Sequence, residues 1–183
     1  MNTTTHLLYL GTAVCFVLGL HLMNSPATAR RGNQLSAFGM AVAIALTVVV
    51  LIDDGTMTLS EAEPIERLCA RLPGLAGPAE PPARLHGDLW NGNVLWGADG
   101  HAWLIDPAAH GGHRETDLAM LHLFGCPHLD EVLRGYEQVT PLADGWSDRI
   151  GLHQLFPLLV HAVLFGRGYA EQALSTAKAA LER

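Results

Sequence analysis

Three polar side chains stand at a spacing suited to phosphoryl transfer. His86-Gly87-Asp88-Leu89-Trp90-Asn91-Gly92-Asn93 reads His-x-Asp-x4-Asn. An aspartate in that position accepts the proton of an attacking hydroxyl. An asparagine five residues on, around a tight loop, coordinates a Mg²⁺ ion on nucleotide phosphates. The same chemistry needs a second oxygen ligand for the metal. Asp106 answers to it, at the end of Ala102-Trp-Leu-Ile105. A lone aspartate in a loop is usually a turn residue. The joint pattern of Asp, Asn at the right offset, hairpin and terminal Asp is much harder to produce by accident.

These residues need a scaffold that returns Asp106 to Asn93. Val94-Leu-Trp96 and Ala102-Ile105 read as two short strands around Gly97-Ala-Asp-Gly100, a β-hairpin. Glu61–Leu72 places Ile65, Leu68, Cys69 and Leu72 on one helical face, and Pro73–Pro82 reads as a loop. Helices are expected over Glu115–Phe124 and Leu129–Gln138. Two more should run from Asp144 to about Gly166, kinked at Pro157, and from Tyr169 to Arg183. Ile150, Leu155, Leu158, Leu159 and Val163 are assigned to the core.

Other residue sets point to weaker chemistry. The chain has ten histidines. His110-Gly-Gly-His113 with Cys126-Pro-His128 can be drawn as a zinc site, but the glycine pair offers no rigid spacing. His86 reads as a structural histidine of the loop. Trp90 fits either a substrate pocket or the core. Cys15, Cys69 and Cys126 form no CxxC pair, which argues against a disulfide framework.

The chain has 183 residues and a net charge of −7, which argues against a general nucleic-acid binder. The charge is unevenly spread. Residues 1–52 hold no acid and only Arg30 and Arg31, whereas all 18 acids follow. Leu7–Met23 and Leu35–Ile52 are almost wholly apolar; the second is comfortably long enough for a bilayer and the first marginally so. The expectation is a two-helix transmembrane hairpin. Small residues at Ala37, Ala41 and Ala45, and at Gly39 and Ala43, would allow close helix approach. His21 is placed at the membrane interface. Ala27-Thr28-Ala29 has the form of a signal-peptidase site, but no basic residue precedes the first apolar run. Arg30 and Arg31 place the loop in the cytoplasm and both ends outside.

Two resemblances follow. His86-Gly-Asp-Leu-Trp90, Asp106-Pro-Ala108 and Gly112-His-Arg-Glu-Thr-Asp-Leu-Ala-Met120 resemble the fructosamine kinase (ketosamine 3-kinase) family over about residues 62–183. Aminoglycoside phosphotransferases are relatives, but Trp90 and the Gly-His-Arg-Glu run favour the former. The resemblance implies the C-terminal lobe of a protein-kinase-like fold, with ATP and Mg²⁺ as cofactors. It implies phosphorylation of a sugar hydroxyl on a glycated amine. Asp88 takes the role of base, Asn93 and Asp106 hold the metal, and Asp117 braces the catalytic loop. Ser25-Pro-Ala-Thr-Ala-Arg-Arg-Gly-Asn33 and Gly39-Met-Ala-Val-Ala43 are similar to the start of the beta subunit of proton-translocating NAD(P) transhydrogenase, over about residues 5–58. No Gly-x-Gly-x-x-Gly occurs, so no NADP site is expected.

The fold expected is mostly α with a small β-hairpin. A transmembrane hairpin at 1–52 and a linker at 53–61 precede a truncated kinase-like α+β lobe at 62–183. The single lysine is Lys178, and no glycine-rich strand-turn-strand precedes Asp88. The nucleotide-clamping half of a kinase therefore has no counterpart, and activity of this chain is expected to be weak or absent. Three functions compete: an impaired ketosamine kinase, a membrane fragment that joins transhydrogenase subunits, and a membrane-anchored binding module without catalysis.

Overall fold

The computed structural model describes residues 3–23 and 29–183. Two helices, α1 (Thr3–Met23) and α2 (Ala29–Asp53), pack along each other. They run antiparallel, since the Tyr9 hydroxyl meets that of Thr47 at 3.2 Å. Gly39 and Ala43 of α2 are buried. The side chains of His21, Arg30, Ala37 and Ala41, and residues 24–28 with most of the candidate cleavage site, lie outside the described residues.

The transmembrane hairpin is overturned. Among the described residues no helix is long and apolar enough to cross a membrane. The membrane location, with Arg30 and Arg31 on its cytoplasmic side, falls with it. The structure shows where the second apolar run goes instead. Val48 and Leu51 of α2 enter the main core beside Leu158 and Leu159, and Leu51 is fully buried. An uninterrupted apolar run has the same composition whether lipid or protein surrounds it, so composition alone cannot separate the two environments.

The core is helical. Helix α3 (Leu59–Leu75) contributes Ala62, Ile65 and Leu68. Helix α6 (Trp146–Phe165) contributes Leu155, Leu158, Leu159 and Ala162, and α7 (Arg167–Leu181) contributes Ala170, Ala173, Leu174 and Ala177. The alanine face of α7 lets it lie close against its neighbours. Each fully buried leucine stabilises by roughly 1.5–3 kcal/mol. Helix α3 starts in a capping box. Glu61 N–H donates to the Thr58 hydroxyl, and Thr58 N–H donates back to Glu61 Oε2 at 2.8 Å. Arg167 also grips Glu61, so α3 is tied to the start of α7. These contacts hold the Glu61 carboxyl at a pKa of about 2. The helix runs three residues into the segment expected to be loop, since Pro73 is accommodated inside it.

Two small sheets sit beside this core. β1 (Ala83–Leu85) pairs antiparallel with β4 (His110–Gly112), and β2 (Val94–Trp96) pairs antiparallel with β3 (Ala102–Leu104). Helices α4 (Glu115–Phe124) and α5 (Leu129–Val139) follow. Glu80, in the loop before β1, accepts from Arg114 at 2.6 and 2.8 Å, which pins that loop and lowers its own pKa.

Candidate active site

The expected hairpin forms with Val94 opposite Leu104, and Ile105 N–H donates to Asn93 O at 3.0 Å. Asn93 and Ile105 are therefore opposite each other at its open end, and Asp106 is the next residue. Asp106 has φ +51°, a left-handed turn at the point where the strand stops. Its carboxyl is exposed at the same end of the hairpin as Asn93.

The loop carrying Asp88 is held from three sides. Asp117, in the first turn of α4, accepts from His86 N–H at 2.7 Å and from Gly87 N–H at 3.0 Å. The His86 ring donates from Nε2 to Ile105 O at 2.9 Å, while its Nδ1 is buried without a partner. Asn93, itself buried, donates from Nδ2 to Asp88 O at 2.9 Å and to Asp88 Oδ2 at 3.0 Å. Asp88 Oδ1 is left open. Gly87 is required by close approach. It has φ +82°, and a Cβ there would lie 2.1 Å from Ala108 O. The Asp88 loop and the Asp106-Pro-Ala108 segment thus touch backbone to backbone.

Trp90 lies at the mouth of a cavity of about 680 Å³ that also takes in Asp88. Its ring covers Gly92 and meets Phe124 edge-on at 6.1 Å. Much of the cavity wall comes from α6 and the start of α7: Phe156, His161, Phe165 and Tyr169. None of these four was singled out from sequence. They read as apolar-face residues, and the one local signal was a histidine on that face. A second cavity of about 380 Å³, between β2–β3 and α4–α5, has none of Asp88, Asn93 and Asp106 on its wall.

Behind Asp117 sits a buried charge cluster. Arg149 donates from Nε to Glu115 Oε2 at 2.9 Å and from Nη2 to Oε1 at 2.6 Å. His153 Nε2 lies 3.3 Å from Glu115 Oε2 without the alignment of a hydrogen bond. Its Nδ1 pairs with the Thr116 hydroxyl at 3.0 Å. Burial, with the nearby His113, pushes the His153 pKa down to about 4. His113, Glu115 and His153 are the one group of metal-ligand types that comes together among the described residues. The zinc set drawn from His110, His113, Cys126 and His128 does not assemble. Only His113 enters the group, and the guanidinium already occupies both Glu115 oxygens.

The fructosamine kinase family model matches residues 48–183, starting inside α2 and upstream of the boundary expected at 62. The model for the NAD(P) transhydrogenase beta subunit matches residues 5–69. That shorter match overlaps the first and does not establish a fusion. A protein named as a probable ketoamine kinase from Enterococcus faecium is 46% identical over 91 residues, covering 50% of this chain and 32% of the relative. Another so named, from Klebsiella pneumoniae, is 43% identical over 104 residues, covering 55% of this chain and 83% of the relative. A solved Thermobifida fusca structure assigned as a fructosamine-3-kinase superposes with TM-score 0.72 at 56% identity, over 75% of this chain and 47% of that one. The chain spans about a third of the Enterococcus relative and just under half of the Thermobifida structure. With the family model covering all of α3 to α7 and both sheets, the chain belongs to the fructosamine kinase family.

Proposed function

We propose that this chain carries the acceptor-side lobe of an ATP-dependent kinase that phosphorylates a sugar hydroxyl of a glycated amine. The observation behind this reading is the buried Asn93 amide turned onto Asp88. Its Nδ2 holds Asp88 Oδ2, which leaves Asp88 Oδ1 to take the proton of the attacking hydroxyl. The same contact commits the amide nitrogen and leaves Asn93 Oδ1 as a hard-oxygen ligand. Asp106 adds an exposed carboxylate at the same end of the hairpin. That donor set suits Mg²⁺, which favours oxygen ligands. When bound on nucleotide phosphates, the ion supplies neutralisation of the charge on the transferred group. Asp117 fixes the backbone of the base loop, and His86 ties that loop to Ile105. The names of the relatives support a glycated amine as substrate.

No lysine precedes Asp88 in this sequence. Positioning and electrostatics supply most of the catalysis in phosphoryl transfer. Turnover of this chain alone is therefore expected below the ordinary kinase range of ~1–100 s⁻¹. Transfer of radiolabelled phosphate from ATP to fructosyl-lysine tests both parts. Residual transfer should vanish in Asp88→Ala while the circular-dichroism melt is unchanged. Transfer that survives Asp88→Ala would remove Asp88 from the mechanism, and full-rate turnover would overturn the expected impairment.

A further inference from the structure

The cavity beside Asp88 is more specific than a generic sugar cleft. Aromatic rings form a continuous array along its wall. Trp90 meets Phe124, and Phe124 meets His161 with centroids 4.9 Å apart. His161 in turn lies 5.2 Å from Tyr169 and 5.4 Å from Phe165. These rings come from the base loop and from α4, α6 and α7. Among the described residues Asp88 is the one carboxylate on the wall, and no arginine or lysine lines it.

His161 sits at the centre of the array. Its Nδ1 lies 2.8 Å from Pro157 O. A carbonyl only accepts, so Nδ1 carries the proton, and in the neutral ring Nε2 is a lone-pair acceptor. Among the described residues no donor takes that lone pair. The pocket thus offers π-faces, one neutral acceptor and one carboxylate. Each of these favours a positively charged N–H group or an apolar surface. A carboxylate on the ligand would meet no cation there and would share the cavity with Asp88.

We propose that this cavity seats the nitrogen substituent of the glycated amine. It selects apolar or aromatic substituents over acidic ones, with His161 Nε2 accepting from the substrate's ammonium. The inference rests on the kinase reading above, since it needs the sugar to be at Asp88. A ketosamine brings both complementary parts in one molecule. Its hydroxyls reach Asp88 while the secondary ammonium and its substituent extend along the rings.

Calorimetric titration of the purified chain tests this with two probes, fructosyl-benzylamine and fructosyl-glycine. The benzylamine compound should bind about tenfold or more tighter. His161→Phe keeps the ring packing and removes the acceptor, and should weaken the benzylamine compound about tenfold. His161→Gln restores an acceptor oxygen and should recover part of the loss. Phe165→Arg, at an exposed position, supplies the missing cation and should shift preference toward fructosyl-glycine. Equal affinity for the two probes, or no change in His161→Phe, overturns the inference and leaves the kinase reading standing. Failure of both probes to bind overturns the two together.

Discussion

Acidification should destabilise this protein through His153. The ring is held at a pKa of about 4, first by burial and then by His113, with Arg149 adding to the effect and Glu115 opposing it. In the unfolded chain the same ring titrates near 6.5. Between those values the unfolded chain binds a proton that the folded chain refuses. Stability is therefore full above about pH 6.5, falls as pH drops through that window, and levels off near pH 4. At about 1.4 kcal/mol per pH unit the loss amounts to about 3 kcal/mol. That is a large share of the 5–15 kcal/mol typical of a domain. His122 is also held low by burial and contributes in the same window. Urea titrations from neutral pH to about pH 4 on the wild type and on His153→Gln isolate the His153 share. The variant should lose about 3 kcal/mol less across the range. Parallel pH profiles for the two proteins would show that His153 takes up its proton without hindrance in the folded state, and the reasoning would be wrong.

Three further outcomes are expected. Arg149→Met should cost about 3–5 kcal/mol, because it strands the Glu115 carboxylate at 2% exposure. The double variant Arg149→Met/Glu115→Leu should recover most of that in the same denaturation assay, and a loss equal to the single variant's would refute the account. Gly87→Ala should cost more than the ~1–2 kcal/mol of a left-handed alanine, since its Cβ would also strike Ala108 O. It should weaken fructosyl-amine binding as well, and a variant with unchanged melting and affinity contradicts the close approach. Asp117→Ala removes two charge-assisted acceptors from the His86 and Gly87 amides. It should lower stability by about 2–4 kcal/mol and raise amide exchange at those two residues first.

Local patterns carried much of the fold. The turn Gly97–Gly100 between two apolar runs identified β2 and β3 nearly to the residue. Helix α4 has the bounds that its hydrophobic spacing indicated. The β1–β4 pair was invisible for a physical reason. Each strand has three residues, and the register joins Leu85 to His110 across an intervening hairpin. Three residues show no period, and nothing near them reports on a partner that far away. The apolar run of α2 misled in the opposite way. Its pattern is strong, but only its C-terminal part joins the α3–α6–α7 core, through Val48 and Leu51, while Phe38 and Val49 stay exposed, so apolar composition did not report the environment. Thr47 satisfies its hydroxyl on Ala43 O inside the helix, so this polar residue needs no water.

The same distinction runs through the site. Asp88 and Asn93 are joined by only four intervening residues, and short loops fix the relative placement of their ends. That is why their spacing could be read as chemistry. Asp117 came from family resemblance, yet its geometry gives the reason for an acid at that position. A helix start aims its first turn at the loop, and two backbone amides need one acceptor with two oxygens. Asparagine could serve only one of them as well. His161 had neither kind of support. It lies 73 positions from Asp88 on a helix face that reads as core, and only the packing of α6 and α7 against the base loop turns that face into a cavity wall. On the proposed reading, the groups assigned to the hydroxyl lie within one loop and the hairpin that follows it, whereas those assigned to the amine are assembled by tertiary contacts. If that proposal holds, substitutions in the α6–α7 wall should alter which amine is accepted without touching Asp88, Asn93 or Asp106.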